Sequence, residues 1–196
     1  MELDIKRFDP NLLRRKSSVI LVIGKRGCGK TTIIKELKSY LDFTNSLEFT
    51  PIKSEHVHTK FDSNILKKFI KNQNETDEPG VVILDDMTQD HSTFKSSETK
   101  SLIFNSMNYK INVFIAVSYC MDLSPDIRSS VDYIFLLKEN VLDNVKKIWK
   151  CFGGMFSNFE QFQQIFKNCT ENFECLVIDN TTKSYNLNEN IFWYKA

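Results

Sequence analysis

The sequence predicts an α/β fold in which a mostly parallel central sheet is covered by helices on both faces. Short apolar, β-branched runs alternate with segments of helical periodicity, which is the pattern of such folds. A glycine-rich octapeptide, GKRGCGKT at 24–31, stands between the strand-like run 17–23 and the helical segment 31–41. A second strand-like run, 81–84, ends on two aspartates. These observations predict a ligand site at the carboxyl ends of the strands.

The octapeptide fits G-x-x-x-x-G-K-[ST], the phosphate-binding P-loop, and has the strand–loop–helix setting that this motif requires. We expect Lys30 to neutralise the β- and γ-phosphate oxygens of a nucleotide and the Thr31 hydroxyl to ligate Mg²⁺. Lys25 and Arg26 either meet phosphates or point to solvent. The predicted nucleotide-binding residues are Gly24, Lys25, Arg26, Gly27, Cys28, Gly29, Lys30, Thr31 and Thr32. The predicted fold class is therefore a three-layer P-loop NTPase.

The second half of the predicted site is acidic. A turn at Pro79-Gly80 precedes the apolar run 81–84, so Asp85 and Asp86 stand at the carboxyl end of a buried strand. We assign Asp85 to Mg²⁺, directly or through water, and Asp86 to polarising the attacking water. Successive side chains along a strand point to opposite sides, so two neighbouring carboxylates can have different roles.

The rest of the chain continues the alternation of strands and helices. Helices are predicted at 61–73, 96–109, 139–150 and 157–168, strands at 111–119, 132–137 and 174–179, and a short strand or docked tail at 191–196. Pro125 suits the first turn of a further helix. Because no repeat, low-complexity tract or linker interrupts this order, we predict a single P-loop ATPase domain over 1–196.

Composition excludes several classes of protein. With 41% hydrophobic and 26% charged residues, the chain is predicted to be globular rather than disordered. No apolar run approaches the ~18 residues of a membrane span, and the charged N-terminus lacks a signal peptide, so we expect no membrane span and a cytosol-like compartment. Five cysteines without a CxxC pair favour free thiols. A net charge of +1 leaves any nucleic-acid contact to a local patch or to a ring of subunits.

Three polar residues beyond the acidic strand are candidate phosphate contacts. Ser118 and Tyr119 end the run 111–119, whose tip faces the γ-phosphate in sheets of this type. Arg128 follows on a turn beyond the same edge. It could reach a phosphate in its own site or in that of a neighbouring subunit, or it could cap local carbonyls at the surface.

Several longer segments resemble the genome-packaging ATPases of large DNA viruses, which belong to the FtsK–HerA branch of P-loop motors. The segments are RFDPNLLRRKSSVILVIGKRGCGKTTIIKEL, VVILDDM, MDLSPDIRSSVDYIFLLKEN, and ECLVIDNTT with the terminal FWYKA. The resemblance covers residues 7–196, and the PDIRSSVDYIF and terminal segments make it more specific than a P-loop alone.

The resemblance implies ATP hydrolysis by a homo-oligomeric ring of six subunits that drives double-stranded DNA into a preformed capsid. A viral capsid or portal component is an implied partner, and the implied location is the host cytoplasm, a viral factory or the virion. The resemblance assigns Lys30 and Thr31 to the nucleotide and Mg²⁺. It assigns Asp85 to the metal and Asp86 to water activation, and it matches Arg128 to an arginine of the family.

Two positions depart from the family pattern. Ser118 stands where a glutamine sensor is expected, and Met107 stands where relatives carry an arginine. Met107 has no charge to offer a developing phosphate, so either Arg128 supplies that function or hydrolysis is slow. Two other functions remain open. One is a small P-loop nucleotide kinase, although no arginine-rich lid follows Asp86, and the other is a nucleotide-binding scaffold with weak hydrolysis.

Overall fold

One eight-stranded sheet forms the centre of the computed structural model, which describes residues 4–50, 57–76, 78–87 and 92–196. Its strands are β1 (Lys6–Arg7), β2 (Val19–Ile23), β3 (Asn45–Phe49), β4 (Gly80–Asp85), β5 (Ile111–Val117), β6 (Tyr133–Leu136), β7 (Cys175–Asp179) and β8 (Ile191–Tyr194). The helices are α1 (Lys30–Ser39), α2 (Ser63–Thr76), α3 (Ser97–Phe104), α4 (Pro125–Ser129), α5 (Leu142–Phe152), α6 (Phe159–Cys169) and α7 (Leu187–Asn190). Short 3₁₀ helices lie at Pro10–Arg14, Thr93–Lys95 and Cys120–Asp122.

Across the sheet the strand order is β1-β8-β7-β6-β2-β5-β4-β3. The described pairings are parallel except those of β7, which runs antiparallel to β6 and β8. The carboxyl ends of β2, β4, β5 and β6 therefore lie at one edge, and β5 separates β2 from β4. This topology confirms the predicted mostly parallel α/β sheet.

The two faces of the sheet have separate hydrophobic cores. In β2, Val19, Leu21 and Ile23 belong to the core shared with α2, α3, α5 and α6. Ile20 and Val22 belong to the other core, which includes residues of α1. The whole of β2 is buried, as expected for a strand covered by helices on both sides. The predicted three-layer arrangement is therefore confirmed.

Aromatic packing closes the β1 side of the sheet. The Phe8 N–H, just after β1, donates to the Trp193 carbonyl oxygen at 2.8 Å. The buried Phe8 ring meets Tyr133 and Phe135 edge-on, at centroid distances of 5.5 and 5.4 Å. Such ring pairs stabilise by about 0.5–1.5 kcal/mol beyond their area burial. The Phe8 ring thus joins the first and last strands of the chain to its middle.

Two features of the fold differ from the sequence-based expectation. The helix predicted over 96–109 was too long, because α3 ends at Phe104 and turns follow. There the Asn105 side chain donates to the Ser101 carbonyl oxygen, and Lys110 has a left-handed backbone with φ 54°. β1 and β3 were not predicted. β3 is an edge strand of mixed polarity and β1 has only two residues, so neither has a continuous apolar run.

Candidate functional site

The candidate site lies at the edge of the sheet where the parallel strands end. The octapeptide connects β2 to α1, and Asp85 is the last residue of β4. Because β5 lies between these strands, Ser118 follows the strand that separates the P-loop from the acidic tip. The P-loop after β2 and the aspartates at the end of β4 therefore lie at the same edge of the sheet, one strand apart.

Three glycines of the loop stand where a side chain would be strained or would clash. Gly27 and Gly29 have φ values of 79° and 104°, a left-handed conformation that side chains disfavour, and Gly29 is the N-cap of α1. Gly24 is required by packing instead. A Cβ there would lie 2.5 Å from the Cys28 Sγ and 2.9 Å from the Leu137 Cβ. The resulting helix N-terminus offers unpaired N–H groups, which suit an anion.

The Lys30 ammonium is held inside the loop. Lys30 is only 6% exposed, and its Nζ donates to the carbonyl oxygens of Gly24 at 2.8 Å and Lys25 at 3.3 Å. A buried ammonium needs acceptors, and phosphate oxygens have the same acceptor chemistry as these carbonyls. The loop therefore carries a buried cation whose acceptors are its own backbone carbonyl oxygens.

Thr31 and Asp85 meet directly. The Thr31 Oγ1 donates to the Asp85 Oδ2 at 2.7 Å, and Asp85 is 4% exposed. Burial raises the pKa of Asp85, while the hydrogen bond from Thr31 and the charge of Lys30 lower it in part. A buried carboxylate beside a hydroxyl gains from a divalent cation, and both groups are ligands that Mg²⁺ accepts. This pair could therefore hold the metal.

Asp86 has an unusual backbone. Its φ is 55°, in the left-handed region that aspartate tolerates better than most residues, and its N–H donates to the Ala116 carbonyl oxygen at 3.1 Å. Its side chain is half-buried, unlike the buried Asp85 before it. Strained backbone of this kind concentrates at functional sites. The two aspartates thus have different environments, which is compatible with separate roles.

Glu139 was not predicted as a site residue. Its side chain is 7% exposed and forms an ion pair with the Lys25 Nζ of the P-loop at 2.7 Å. It also accepts from the Val141 N–H at 2.7 Å and from the Asn144 side chain at 3.1 Å. Burial raises the pKa of Glu139, but these donors outweigh it, so the pKa is lowered overall. The only signal in the sequence was an acid shortly after a strand that ends at the same edge.

The other predicted loop residues differ in exposure. Arg26 and Thr32 are exposed, whereas Cys28 is half-buried and burial raises the pKa of its thiol. Ser118 is half-buried and borders a cavity of ≈ 190 Å³ together with Glu139. The exposed Tyr119 also borders this cavity, which lies next to the P-loop.

Arg128 and Met107 lie away from the loop. The Arg128 Nη1 donates to the Cys120 carbonyl oxygen at 3.3 Å and to the Met121 Sδ at 3.4 Å. Met107 is 59% exposed and borders a cavity with Lys16, which precedes β2, and Lys110, which precedes β5. It therefore lies at the opposite edge of the sheet from the P-loop of its own chain. The hydrogen bonds that Arg128 forms with described residues involve no residue of its own predicted nucleotide site.

The chain combines a P-loop between a strand and a helix with a mostly parallel α/β sheet, and it is a member of the P-loop NTPase class. Residues 16–134 match the model of a family described as AAA domain. Because this match covers more than half of the chain, the chain belongs to that AAA domain family. P-loop ATPase character and nucleotide binding follow from the membership.

The relatives of the chain are viral. It is 30% identical to the uncharacterized protein 075L of Invertebrate iridescent virus 6, over 99% of this chain and 84% of that protein. It is 27% identical to the uncharacterized protein L437 of Acanthamoeba polyphaga mimivirus, over 98% of this chain and 77% of that protein. No helix within the described ranges is long and apolar enough to cross a membrane.

Solved structures share the fold. The genome packaging NTPase B204 of Sulfolobus turreted icosahedral virus 2, in complex with ATP-gammaS, superposes with a TM-score of 0.66 and 13% identity, over 96% of this chain and 98% of that one. The N-terminal domain of zonular occludens toxin from Neisseria meningitidis gives a TM-score of 0.51 and 10% identity, over 91% and 92% of the two chains. The predicted resemblance to viral packaging ATPases is therefore confirmed at the level of the fold.

Proposed function

We propose that the protein is a Mg²⁺-dependent ATPase that works as a homo-oligomeric ring and drives double-stranded viral DNA into a capsid. The observation that carries this proposal is the 2.7 Å hydrogen bond between Thr31 and the buried Asp85, beside the buried Lys30. It supports one site with a cation for phosphate and a hydroxyl–carboxylate pair for a metal. A single ATPase domain over 1–196 is part of the proposal.

Each residue has a role in this mechanism. The N–H groups of the P-loop and the Lys30 ammonium hold the β- and γ-phosphates of ATP. Thr31 and Asp85 would hold Mg²⁺, directly or through water, and the metal would neutralise phosphate charge. Asp86 polarises the attacking water, because a half-buried carboxylate at this edge can accept its proton.

Arg128 is the proposed arginine of the mechanism. In the structure its guanidinium is engaged by the Cys120 carbonyl oxygen and the Met121 Sδ. To stabilise charge on a transferring phosphoryl group the guanidinium has to reach phosphate oxygens, in its own site or in that of a neighbouring subunit. ATP hydrolysis therefore depends on a rearrangement after β5, which assembly or DNA could supply.

The DNA-packaging part of the proposal rests on similarity. Relatives over nearly the whole chain are viral, and a structure with the same fold is described as a genome packaging NTPase. The proposed partners are double-stranded DNA, further copies of the chain in a ring of six, and a capsid or portal component. The proposed location is the host cytoplasm or viral factory, with the virion as a second site.

A nucleotide-binding scaffold with weak hydrolysis is the second candidate. Two observations favour it: Arg128 is turned to a carbonyl group, and Met107 stands uncharged at the far edge of the sheet. In that function ATP binding would order the protein without rapid turnover.

ATP turnover tests these functions in one preparation. We expect hydrolysis that requires Mg²⁺, rises with double-stranded DNA and falls by about 10²-fold or more in Lys30→Ala, because a buried charge at the phosphates is lost. Lys68→Ala, an exposed lysine of α2, is the matched control and should retain turnover. Native mass measurement reports the assembly. ATP binding without turnover in the assembled state would favour the scaffold, and phosphate transfer to a nucleoside monophosphate would identify a kinase.

A further inference from the structure

A cavity of ≈ 620 Å³ lies between the segment after β5 and helix α5, and its border is cationic. Arg128 of α4 and Lys147 and Lys150 of α5 line it, together with the polar Ser129 and Asn180. Among the residues that the structure describes, no aspartate or glutamate lines it. A cavity lined by three cations and no carboxylate favours an anionic ligand.

The two lysines are available to a ligand. Lys147 and Lys150 are exposed and neither forms an ion pair with a described residue. The carboxylate of α4, Asp126, is bound to the Lys100 Nζ at 3.1 Å. Of the two carboxylates that border the smaller cavity with Lys147, Asp122 and Glu139, the latter is paired with the Lys25 Nζ at 2.7 Å. Lys147 and Lys150 are three residues apart on one helix, which puts both side chains on the same face.

The size of the cavity and its neighbours indicate a polyanion. A cavity of ≈ 620 Å³ with cations from both α4 and α5 has room for more than one phosphate, and a nucleic-acid backbone carries one charge per phosphate in series. Met121 and Lys147 also border the ≈ 190 Å³ cavity that contains Ser118 and Glu139. The cationic cavity is therefore adjacent to the proposed nucleotide edge.

We propose that this cavity, lined by Arg128, Lys147 and Lys150, binds the phosphate backbone of double-stranded DNA. The inference rests on the proposed DNA-translocating function and names the surface that contacts DNA. Lys147 and Lys150 supply the charge that holds the DNA phosphates, and Arg128 keeps its proposed role at the nucleotide. DNA bound against Met121 and Lys147 displaces the Met121 Sδ from the Arg128 guanidinium, which frees Arg128 for the nucleotide and gives a physical route for DNA to stimulate ATP turnover.

The chain offers a closely matched control for the test. Lys68 and Lys71 of α2 have the same spacing as Lys147 and Lys150, are also exposed, and form no ion pair with a described residue. The two double variants are Lys147→Gln with Lys150→Gln, and Lys68→Gln with Lys71→Gln. Both remove two positive charges from a helix surface, so a difference between them reports position and not net charge.

The experiment is a titration of a fluorescent DNA duplex by anisotropy over a series of KCl concentrations, with the full chain. We expect the α5 variant to bind more weakly and to lose about 2 from the slope of log K against log salt, because each lost phosphate contact removes about 0.9. The α2 variant should keep the wild-type slope. Millimolar inorganic phosphate should not displace the duplex, whereas displacement would indicate a site for single phosphate ions.

ATP turnover of the same proteins separates this inference from the proposed function. We expect the α5 variant to keep basal turnover and to lose DNA stimulation. Equal salt slopes for both variants, or no DNA binding by the wild type, would overturn the assignment of the cavity. Basal ATP hydrolysis in the same proteins would still support the proposed ATPase. Absence of basal and stimulated turnover in a wild type that binds DNA through α5 would overturn the motor and leave the DNA site standing.

Discussion

At the scale of single residues, Gly24 is limited by space and not by backbone conformation. We predict that Gly24→Ala destabilises the protein by about 1–3 kcal/mol, because the new Cβ would meet the Cys28 Sγ at 2.5 Å. Gly154→Ala is the control, since a Cβ there has nothing within 4 Å. Urea denaturation measures both. A Gly24→Ala protein as stable as Gly154→Ala would show that the loop yields freely at this position.

Asp85 illustrates a conflict between stability and function. Because burial raises the pKa of Asp85, the folded protein binds the proton of its carboxyl group more tightly than the unfolded chain does. The free energy of unfolding therefore falls as pH rises from the unfolded pKa through the folded pKa of Asp85. We predict that Asp85→Asn raises the melting temperature of the nucleotide-free protein at neutral pH. The gain should shrink at lower pH, where Asp85 is protonated.

The same substitution should lower ATP turnover at least ~10-fold, since a proposed ligand of the metal is lost. Glu171→Gln, at an exposed loop position, serves as the control and should change neither quantity. Thermal denaturation over a pH series, followed by turnover assays, tests the pair of effects. A loss of stability in Asp85→Asn at neutral pH would contradict the stated origin of the pKa shift.

At the scale of elements, the Lys25–Glu139 ion pair joins the P-loop to the connection between β6 and α5. Although burial raises the pKa of Glu139, the hydrogen bonds from Lys25 and its neighbours lower it overall. The carboxylate therefore stabilises the fold at pH values above the pKa that Glu139 has in the unfolded chain. We predict that Glu139→Gln costs about 1 kcal/mol at neutral pH, discounted because Lys25 is partly exposed. It should also raise the KM for ATP.

The pH dependence of Glu139→Gln distinguishes this ion pair from a packing effect. The stability cost of Glu139→Gln should disappear as pH falls through the pKa of the folded carboxyl. Asp85→Asn has the opposite sign at neutral pH, a gain in stability, and that gain also disappears in acid. Glu160→Gln on α6, an exposed position, is the control. A cost that is constant across pH would assign the effect to shape and not to charge.

At the scale of the whole molecule, ATP should stabilise the fold because the proposed binding site exists only when β2, α1 and β4 are assembled. At 100 times the Kd, a ligand adds about 2.7 kcal/mol to the free energy of unfolding, which for a chain of this length raises Tm by about 5–10 °C. We predict this shift with ATP and Mg²⁺ for the wild type and its loss in Lys30→Ala. An equal shift in both proteins would contradict binding at the P-loop.

Much of this architecture could be read from the residues alone. The apolar runs that became β2, β4, β5, β6 and β7 are buried strands, and for such strands hydrophobicity and β-branching are strong local signals. The P-loop was also predictable from the sequence, because its glycines and Lys30 belong to a motif of eight consecutive residues. β3 and the end of α3 were not predicted. The pairing of an edge strand and the geometry of a turn depend on residues that are distant in the chain.

The amino-acid sequence by itself determined the class of fold, the phosphate-binding loop and the acidic strand end, since each is encoded by residues close together in the chain. Only the tertiary structure decided that β5 stands between β2 and β4, that Glu139 engages Lys25, and that Arg128 turns to the Cys120 carbonyl oxygen. It alone also brought α4 and α5 together around a cationic cavity. These contacts join residues far apart in sequence, and their energies depend on burial and distance, which exist only after the chain has folded.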